Sequence, residues 1–157
     1  MQSFDTRYPS FGYLRQKAQS RIPRFAFEYL EGGCNENVNR ARNIADLQAI
    51  HLKPVYLKPY AGAGLKTELF GHIYSVPFGI APIGLQGLIW PGSAEILARA
   101  ALEHNIPFIL STVSSGSIEK IAQITQGRAW FQLYNPSEET VRNDIVKRVA
   151  AAGMQVL

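Results

Sequence analysis

The rhythm of apolar and polar positions changes near residue 76. Beyond it, short apolar runs alternate with segments whose apolar residues recur every three or four positions. These are the periods of buried strands and amphipathic helices. Pro77–Pro82, Pro107–Thr112 and Ala129–Tyr134 read as buried strands. Ser93–His104 reads as a helix with Ala94, Leu97, Ala98 and Ala101 on one face, and Ser117–Thr125 as one with Ile118, Ile121 and Ala122 inward. A third helix is expected with Asn135 as cap, Pro136 at its first position and Glu138 three after the cap. Its inward face is Val141, Ile145 and Val149, and Gly153 closes it. Met154–Leu157 then begins a fourth strand. Strand start follows strand start at roughly 22 to 30 residues, the size of a βα unit.

Before residue 76 the pattern is different. Residues 10–17 form a short amphipathic helix. A second starts at Pro23, carries Phe25, Tyr29 and Leu30 on one face, and stops at Gly32-Gly33. A short third helix is expected near Ile44–Leu47. Val55-Tyr56-Leu57 and Glu68-Leu69-Phe70 are β-prone runs among Pro, Gly and Lys. They predict a small antiparallel element turned by Gly71-His72.

Consecutive βα units build either an open doubly wound sheet or a barrel. A dinucleotide-binding sheet places G-x-G-x-x-G in its first βα turn. Here that turn reads Gly84-Leu85-Gln86-Gly87-Leu88-Ile89-Trp90-Pro91-Gly92, with the wrong spacing, and no acidic residue closes the next strand. The barrel is the favoured reading. Ending on an apolar parallel strand would expose an unpaired hydrophobic edge. The expectation is therefore an α/β chain forming the N-terminal half of a (β/α)8 barrel, preceded by helices and a small antiparallel element. Residues 1–157 would be one incomplete domain, with the leading helices and β element in 1–75 and barrel strands one to four in 76–157. The remainder would lie beyond Leu157 or on another chain.

Composition narrows the function. The chain is 46% hydrophobic and 18% charged, with a formal net charge of +4. Its basic residues are scattered, with no run of five, so nucleic acid is not an expected partner. A mild attraction for anionic substrates remains. The single cysteine, Cys34, makes no internal disulfide and supplies no metal cluster, which fits a reducing compartment. The start Met1-Gln2-Ser3-Phe4-Asp5 lacks the basic-then-apolar pattern of a secretory signal. The longest apolar stretch, Val76–Trp90, is broken by Gln86, by Pro77 and Pro82 and by glycines, and falls short of a membrane span.

Barrel chemistry sits at the C-terminal ends of the strands. Those ends supply Pro82-Ile83-Gly84, Ser111-Thr112, and Gln132 with Tyr134. The set is neutral, rich in hydrogen-bonding groups and exposed backbone, and has neither carboxylate nor histidine. It suits holding a polar planar heterocycle rather than acid–base work. Polar loop residues such as Ser111 and Gln132 equally often just satisfy nearby backbone. His51 and His72 fall in the antiparallel region and His104 ends a helix, so all three read as surface or capping residues.

Pro23-Arg24-Phe25-Ala26-Phe27-Glu28-Tyr29-Leu30-Glu31-Gly32-Gly33 resembles the opening signature of the FMN-dependent α-hydroxy acid oxidases and dehydrogenases. That family includes glycolate oxidase, L-lactate dehydrogenase and mandelate dehydrogenase. Further matching stretches follow in order: Pro77–Leu85, Trp90-Pro91, Leu110-Ser111-Thr112 and Trp130–Tyr134. The wording from Gly84-Leu85 to Trp90-Pro91 is nearest the mandelate dehydrogenase branch. The resemblance implies FMN as cofactor and a small 2-hydroxy acid as substrate, oxidised to the 2-keto acid. Pro82, Ile83 and Gly84 would lie against the flavin ring, largely through backbone. Ser111 and Gln132 would hydrogen-bond the isoalloxazine. Tyr29 and Tyr134 would direct phenols at the substrate's carboxylate and its 2-oxygen. A phenol suits this, being amphipathic, with one donor that stays neutral near pH 7; without the resemblance, Tyr29 reads as a core aromatic.

Departures mark where contacts change. Ile83 stands where the family usually has Thr, so only a backbone role survives there. Cys34-Asn35-Glu36 and Asn43-Ile44 depart from the usual loop wording, and Val113 replaces an often larger residue. The family's catalytic His, its Arg, its flavin-contacting Lys and its phosphate-binding loops belong to the second barrel half, so no catalytic residue is assigned in this chain. Alone it would pair with the missing half, self-associate, or persist as a non-catalytic remnant or one chain of a split enzyme. A phosphate-sugar barrel enzyme without flavin would not explain Tyr29 and the leading helices. The expected location is the cytoplasm, with peripheral attachment to the inner face of a membrane left open. The sequence chooses neither the hydroxy acid nor the electron acceptor.

Overall fold

The computed structural model describes residues 4–59 and 62–157. They fall into two compact units, Met1–Ala63 and Gly64–Leu157.

The first unit is helical: α1 (Phe4–Arg7), α2 (Phe11–Gln19), α3 (Arg24–Glu31) and α4 (Val38–Gln48). Pro23 precedes α3 as its cap residue, and its carbonyl accepts the first helical N–H bonds from Ala26 and Phe27. Gly32 ends α3 in an extended rather than a left-handed conformation. The neighbouring Gly33 N–H instead donates to Asn37 Oδ1 at 2.6 Å. Helix α4 is eleven residues long, so the short helix expected at 44–47 is its second half. Ala26 and Phe27 are the residues of these helices that are buried among those described. Glu31 ties the unit together by accepting from Arg15 and Arg40, each at 2.8 Å. The Arg15 hydrogen bond is the largest cause holding the Glu31 carboxyl below its ordinary pKa.

Val55-Tyr56-Leu57 forms no strand; all three are exposed and Leu57 has a positive φ. The antiparallel element is instead a tight hairpin, β1 (Thr67–Leu69) against β2 (His72–Tyr74). Its two turn residues are Phe70 and Gly71, both left-handed with φ of 50° and 76°. A two-residue hairpin with a type I′ turn needs φ > 0 at both central positions. His72, expected in the turn, is therefore the first residue of the returning strand.

The second unit continues with α5 (Gln86–Ile89), α6 (Ser93–His104), β3 (Ile109–Ser111), α7 (Ile118–Thr125), β4 (Trp130–Gln132) and α8 (Glu139–Ala151). Strands β3 and β4 are parallel, pairing Ile109 with Trp130, Leu110 with Phe131 and Ser111 with Gln132. The expected strand at 77–82 contracts to a single parallel bridge, Ile80 to Phe108. Pro77 and Pro82 have no N–H to give a ladder. Gly79 sits so close to its neighbour that an added Cβ would lie 2.5 Å from the Pro107 carbonyl oxygen. At 154–157 one ladder bond forms, Phe131 N–H to Val156 O at 2.9 Å, without an assigned strand. The described residues form an open α/β arrangement and no closed barrel.

The core is Ala94, Ala98 and Ala101 of α6, Phe108, Leu110 and Phe131 of the strand layer, Ile118, Ile121 and Ala122 of α7, and Val149 and Met154. Alanines on α6 let its backbone come close to the strands, and Gly116 would clash with Ala94 Cβ if it carried a side chain. Ser117 caps α7 by accepting from Lys120 N–H at 3.3 Å. Helix α8 begins later than expected. Glu138, not Asn135, is its cap residue, and Asn135 makes no capping bond. The Tyr134 N–H is held by Thr112 Oγ1, so the chain stays extended past the strand end before it turns. Val141 is accordingly exposed, while Ile145 is half-buried and Val149 buried.

The hairpin packs at the N-terminal ends of the parallel strands. Trp130 Nε1 donates to Tyr74 Oη at 3.2 Å, and the Phe70 ring meets Trp130 edge-on at 5.1 Å. Asn105, left-handed at the end of α6, donates to Ile73 O at 3.1 Å. The opposite, C-terminal ends are thus left free of the hairpin. No helix among the described residues is long and apolar enough to cross a membrane.

Candidate functional site

Parallel pairing puts partners in one layer on the same face of a sheet. Ser111 and Gln132 are such partners. The Ile80–Phe108 bridge lies beside the start of β3, and Leu85 N–H donates to Val113 O at 2.9 Å, so the segment 82–84 runs alongside the end of β3. Pro82, Ile83, Gly84, Ser111 and Gln132 therefore converge on the C-terminal ends of three adjacent segments. Tyr134 follows two residues after Gln132 and is 53% exposed. Tyr29 belongs to the first unit, on α3, and is 55% exposed. It is not the core aromatic that burial habit alone would predict.

The local bonding of these groups separates them. Ser111 is buried, and its Oγ accepts from Val113 N–H at 3.3 Å, so it does satisfy nearby backbone. Its hydroxyl proton remains uncommitted among the described residues. The backbone carbonyl of the half-buried Gln132 accepts from Thr112 N–H at 3.0 Å and from Thr112 Oγ1 at 2.6 Å. Its side-chain amide makes no hydrogen bond among the described residues. The same holds for the backbone N–H groups of Ile83 and Gly84, both half-buried.

Buried donors rarely go without a partner; Ser111 is buried, and the other three groups sit on half-buried residues open to a ligand or to water. Here two backbone N–H groups, one amide and one hydroxyl proton all point to one need. A planar heterocycle with alternating carbonyls and ring nitrogens offers complementary acceptors, and the amide can turn to donate or accept. These residues fit the isoalloxazine ring of FMN. No charged side chain occurs at 82–85, 111–113 or 132–135. The three histidines lie elsewhere. His72 Nε2 is 3.4 Å from Asn105 Oδ1, with its ring against Tyr74, at the hairpin end. His104 is in the last turn of α6, and His51 is in the first unit.

Two residues at the site have roles that sequence reasoning did not assign. Thr112 bridges β3 and β4 beyond their last ladder pair, donating to Gln132 O while accepting from Tyr134 N–H at 2.9 Å. A hydroxyl on a β-branched residue at a strand end was the available signal. Gln86 looked like an interruption of an apolar stretch, yet it is 3% exposed. Its Nε2 donates to Ser114 Oγ at 2.7 Å, and its carbonyl accepts from Ser93 Oγ at 2.8 Å. A lone amide inside an apolar run was the signal, since a buried amide must find a partner. Beside it, Leu85 is left-handed at φ 49°, which costs a branched residue about 1 kcal/mol.

The family model described as FMN-dependent dehydrogenase matches residues 18–157. The L-lactate dehydrogenase of Stenotrophomonas maltophilia is 38% identical over 143 residues, covering 91% of this chain and 38% of that protein. The L-lactate dehydrogenase of Ectopseudomonas mendocina is likewise 38% identical over 143 residues. Among solved structures, a mandelate oxidase with (S)-4-hydroxymandelic acid superposes with a TM-score of 0.86 at 31% identity, covering 94% of this chain and 41% of that one. An active mutant of (S)-mandelate dehydrogenase gives 0.81 at 37% identity, covering 88% and 39%. The chain spans about two fifths of the length of these relatives, and it belongs to the FMN-dependent dehydrogenase family.

Proposed function

We propose that this chain supplies the flavin-ring and substrate contacts for FMN-dependent oxidation of an L-2-hydroxy acid to the 2-keto acid. The observation that carries the reading is the layer of unpartnered neutral donors at the strand ends: the N–H groups of Ile83 and Gly84, the Ser111 hydroxyl and the Gln132 amide. Bound FMN would supply the two-electron acceptor. Pro82, Ile83 and Gly84 hold one edge of the ring through backbone. Ser111 and Gln132 hydrogen-bond its polar atoms and fix its plane. Tyr134 and Tyr29 orient the substrate's carboxylate and 2-oxygen, and their phenols stabilise charge that develops there. The proton is taken by a base that this chain does not provide.

In this reading both units belong to one domain, and residues 76–157 are the first four strands of a (β/α)8 barrel. The remaining barrel half is the natural partner, with self-association the alternative. The enzyme works in the cytoplasm or at the inner face of a membrane. The strand ends carry no charge, which favours relatives' substrates such as lactate or mandelate over multiply charged acids.

The test is anaerobic mixing of the complete FMN-loaded protein with L-lactate and with (S)-mandelate. Bleaching of the visible flavin band is expected with at least one of them. No flavin retained, or no bleaching with any 2-hydroxy acid, overturns the reading. The 157-residue chain alone is expected to show no turnover with lactate, glycolate or mandelate.

A further inference from the structure

We propose that Gln86 is a positioning residue that sets the flavin-facing backbone at 82–85, acting through its buried amide on the loop after β3. The inference rests on the proposed flavin site and adds to it a residue that touches neither cofactor nor substrate.

The segment 82–85 has little of its own to hold it in place. Its ladder ends at the Ile80 bridge, and the N–H groups of Ile83 and Gly84 must stay free for a ligand. What fixes it is the next loop, 112–117. Leu85 N–H donates to Val113 O at 2.9 Å. Gln86 Nε2 donates to Ser114 Oγ at 2.7 Å, and Ser114 Oγ also accepts from Gly116 N–H at 3.1 Å. Ser93 Oγ holds the Gln86 carbonyl from the start of α6. A Cβ on Gly87 would lie 2.8 Å from Ser115 Cβ, so the two loops are in close contact.

The amide clasp explains two otherwise unfavourable features. One is a nearly fully buried polar side chain in an apolar run, which burial disfavours unless it is hydrogen-bonded. The other is the left-handed Leu85, a conformation that persists only where surroundings over-determine it. Releasing Gln86 lets Leu85 relax, and the backbone immediately before it, Ile83 and Gly84, moves with it. The bond reaches the loop after β3, so the consequence falls on the ring position. A sub-ångström displacement of positioning groups is enough to weaken contacts at a site.

The test uses the complete FMN-loaded protein with Gln86→Leu, and with Ser114→Ala as a second route to the same lost bond. Wild-type protein that binds no FMN would refute the proposed function itself. Given wild-type binding, both variants are expected to lose FMN affinity by up to about tenfold, the limit if the full worth of one buried hydrogen bond goes into holding 82–85 in its binding position. The visible band of the bound flavin should shift or lose fine structure in both. In the FMN-free protein the Leu85 amide should exchange with solvent faster in both variants. Gln86→Asn, too short to reach Ser114, should behave like Gln86→Leu. A lowered melting temperature with an unchanged flavin spectrum and affinity would make Gln86 merely structural and overturn the proposal. Should Gln86→Leu fail to fold, Ser114→Ala alone decides between these results.

Discussion

The two units of this chain spend their hydrophobic residues differently. In residues 64–157, apolar side chains from α6, α7, β3, β4 and α8 meet in one core, and Ala94, Ala98 and Ile121 are completely buried. In the described part of residues 1–63, Ala26 and Phe27 are the buried apolar residues, while Phe11, Phe25, Leu47, Leu52, Tyr56 and Leu57 are exposed. The difference lies in periodicity. The βα units bury Leu110 and Phe131 of their strands against the apolar faces of their own helices, whereas the short amphipathic helices of the first unit bury little.

Mutations break this contrast most sharply in the core. Phe131→Ala, at a residue 3% exposed, is expected to cost about 3–5 kcal/mol of stability in denaturant unfolding. Leu47→Ala, at a residue 72% exposed, should stay within about 0.5 kcal/mol. Comparable losses at the two positions would erase the distinction. Gly79→Ala should cost about 1–3 kcal/mol, because its Cβ meets a carbonyl oxygen that cannot move aside without breaking the Ile80 bond to Pro107.

At the site the expected effects stay below that of Phe131→Ala. Thr112→Val strips a donor from Gln132 O and leaves the Tyr134 N–H unpaired, for about 1–3 kcal/mol by thermal unfolding. If the proposed function is right, the same variant also raises the KM for the 2-hydroxy acid by loosening Tyr134. A drop in stability with KM unchanged would detach Tyr134 from the substrate.

The smallest effect concerns pH. Glu95 and Glu119 are held below their ordinary pKa, foremost by hydrogen bonds from Lys120 and Arg148. A depressed carboxylate stabilises the fold above its unfolded pKa, near the ordinary value of 4.5, and that contribution disappears as pH falls through the lower folded value. Acidification below about pH 4.5 should therefore erode the melting temperature gradually. Glu119→Gln should flatten the slope only slightly, because its pair with Arg148 is exposed and screened. An unchanged slope in Glu95→Gln and Glu119→Gln together would mean these pairs do not contribute.

Much of this was legible in the chain, and the exceptions have physical causes. The helices at 93–104 and 118–125 announce themselves by apolar spacing, since their inward faces pack within the same unit. Asn135-Pro136 carried a good start signal, but the Thr112–Tyr134 bond keeps the chain extended there, and a tertiary contact overrides local capping. The strand at 77–82 was over-read because its prolines remove the donors that a ladder needs. At the site, the strand-end residues could be named from sequence because ends of strands are where chemistry gathers in such folds. Gln86 could not, because its role depends on a partner, Ser114, twenty-eight residues away.

The most direct test of the flavin site uses a ¹⁵N-labelled sample of the 157-residue chain titrated with FMN and followed by amide shifts. The ring contacts predicted here lie within this chain, and millimolar binding is enough for the readout. The account predicts shifts at the Ile83 and Gly84 amides and at the Gln132 side-chain amide, with α8 unaffected. Shifts confined to other surfaces, or none at those three groups at saturating FMN, would contradict it.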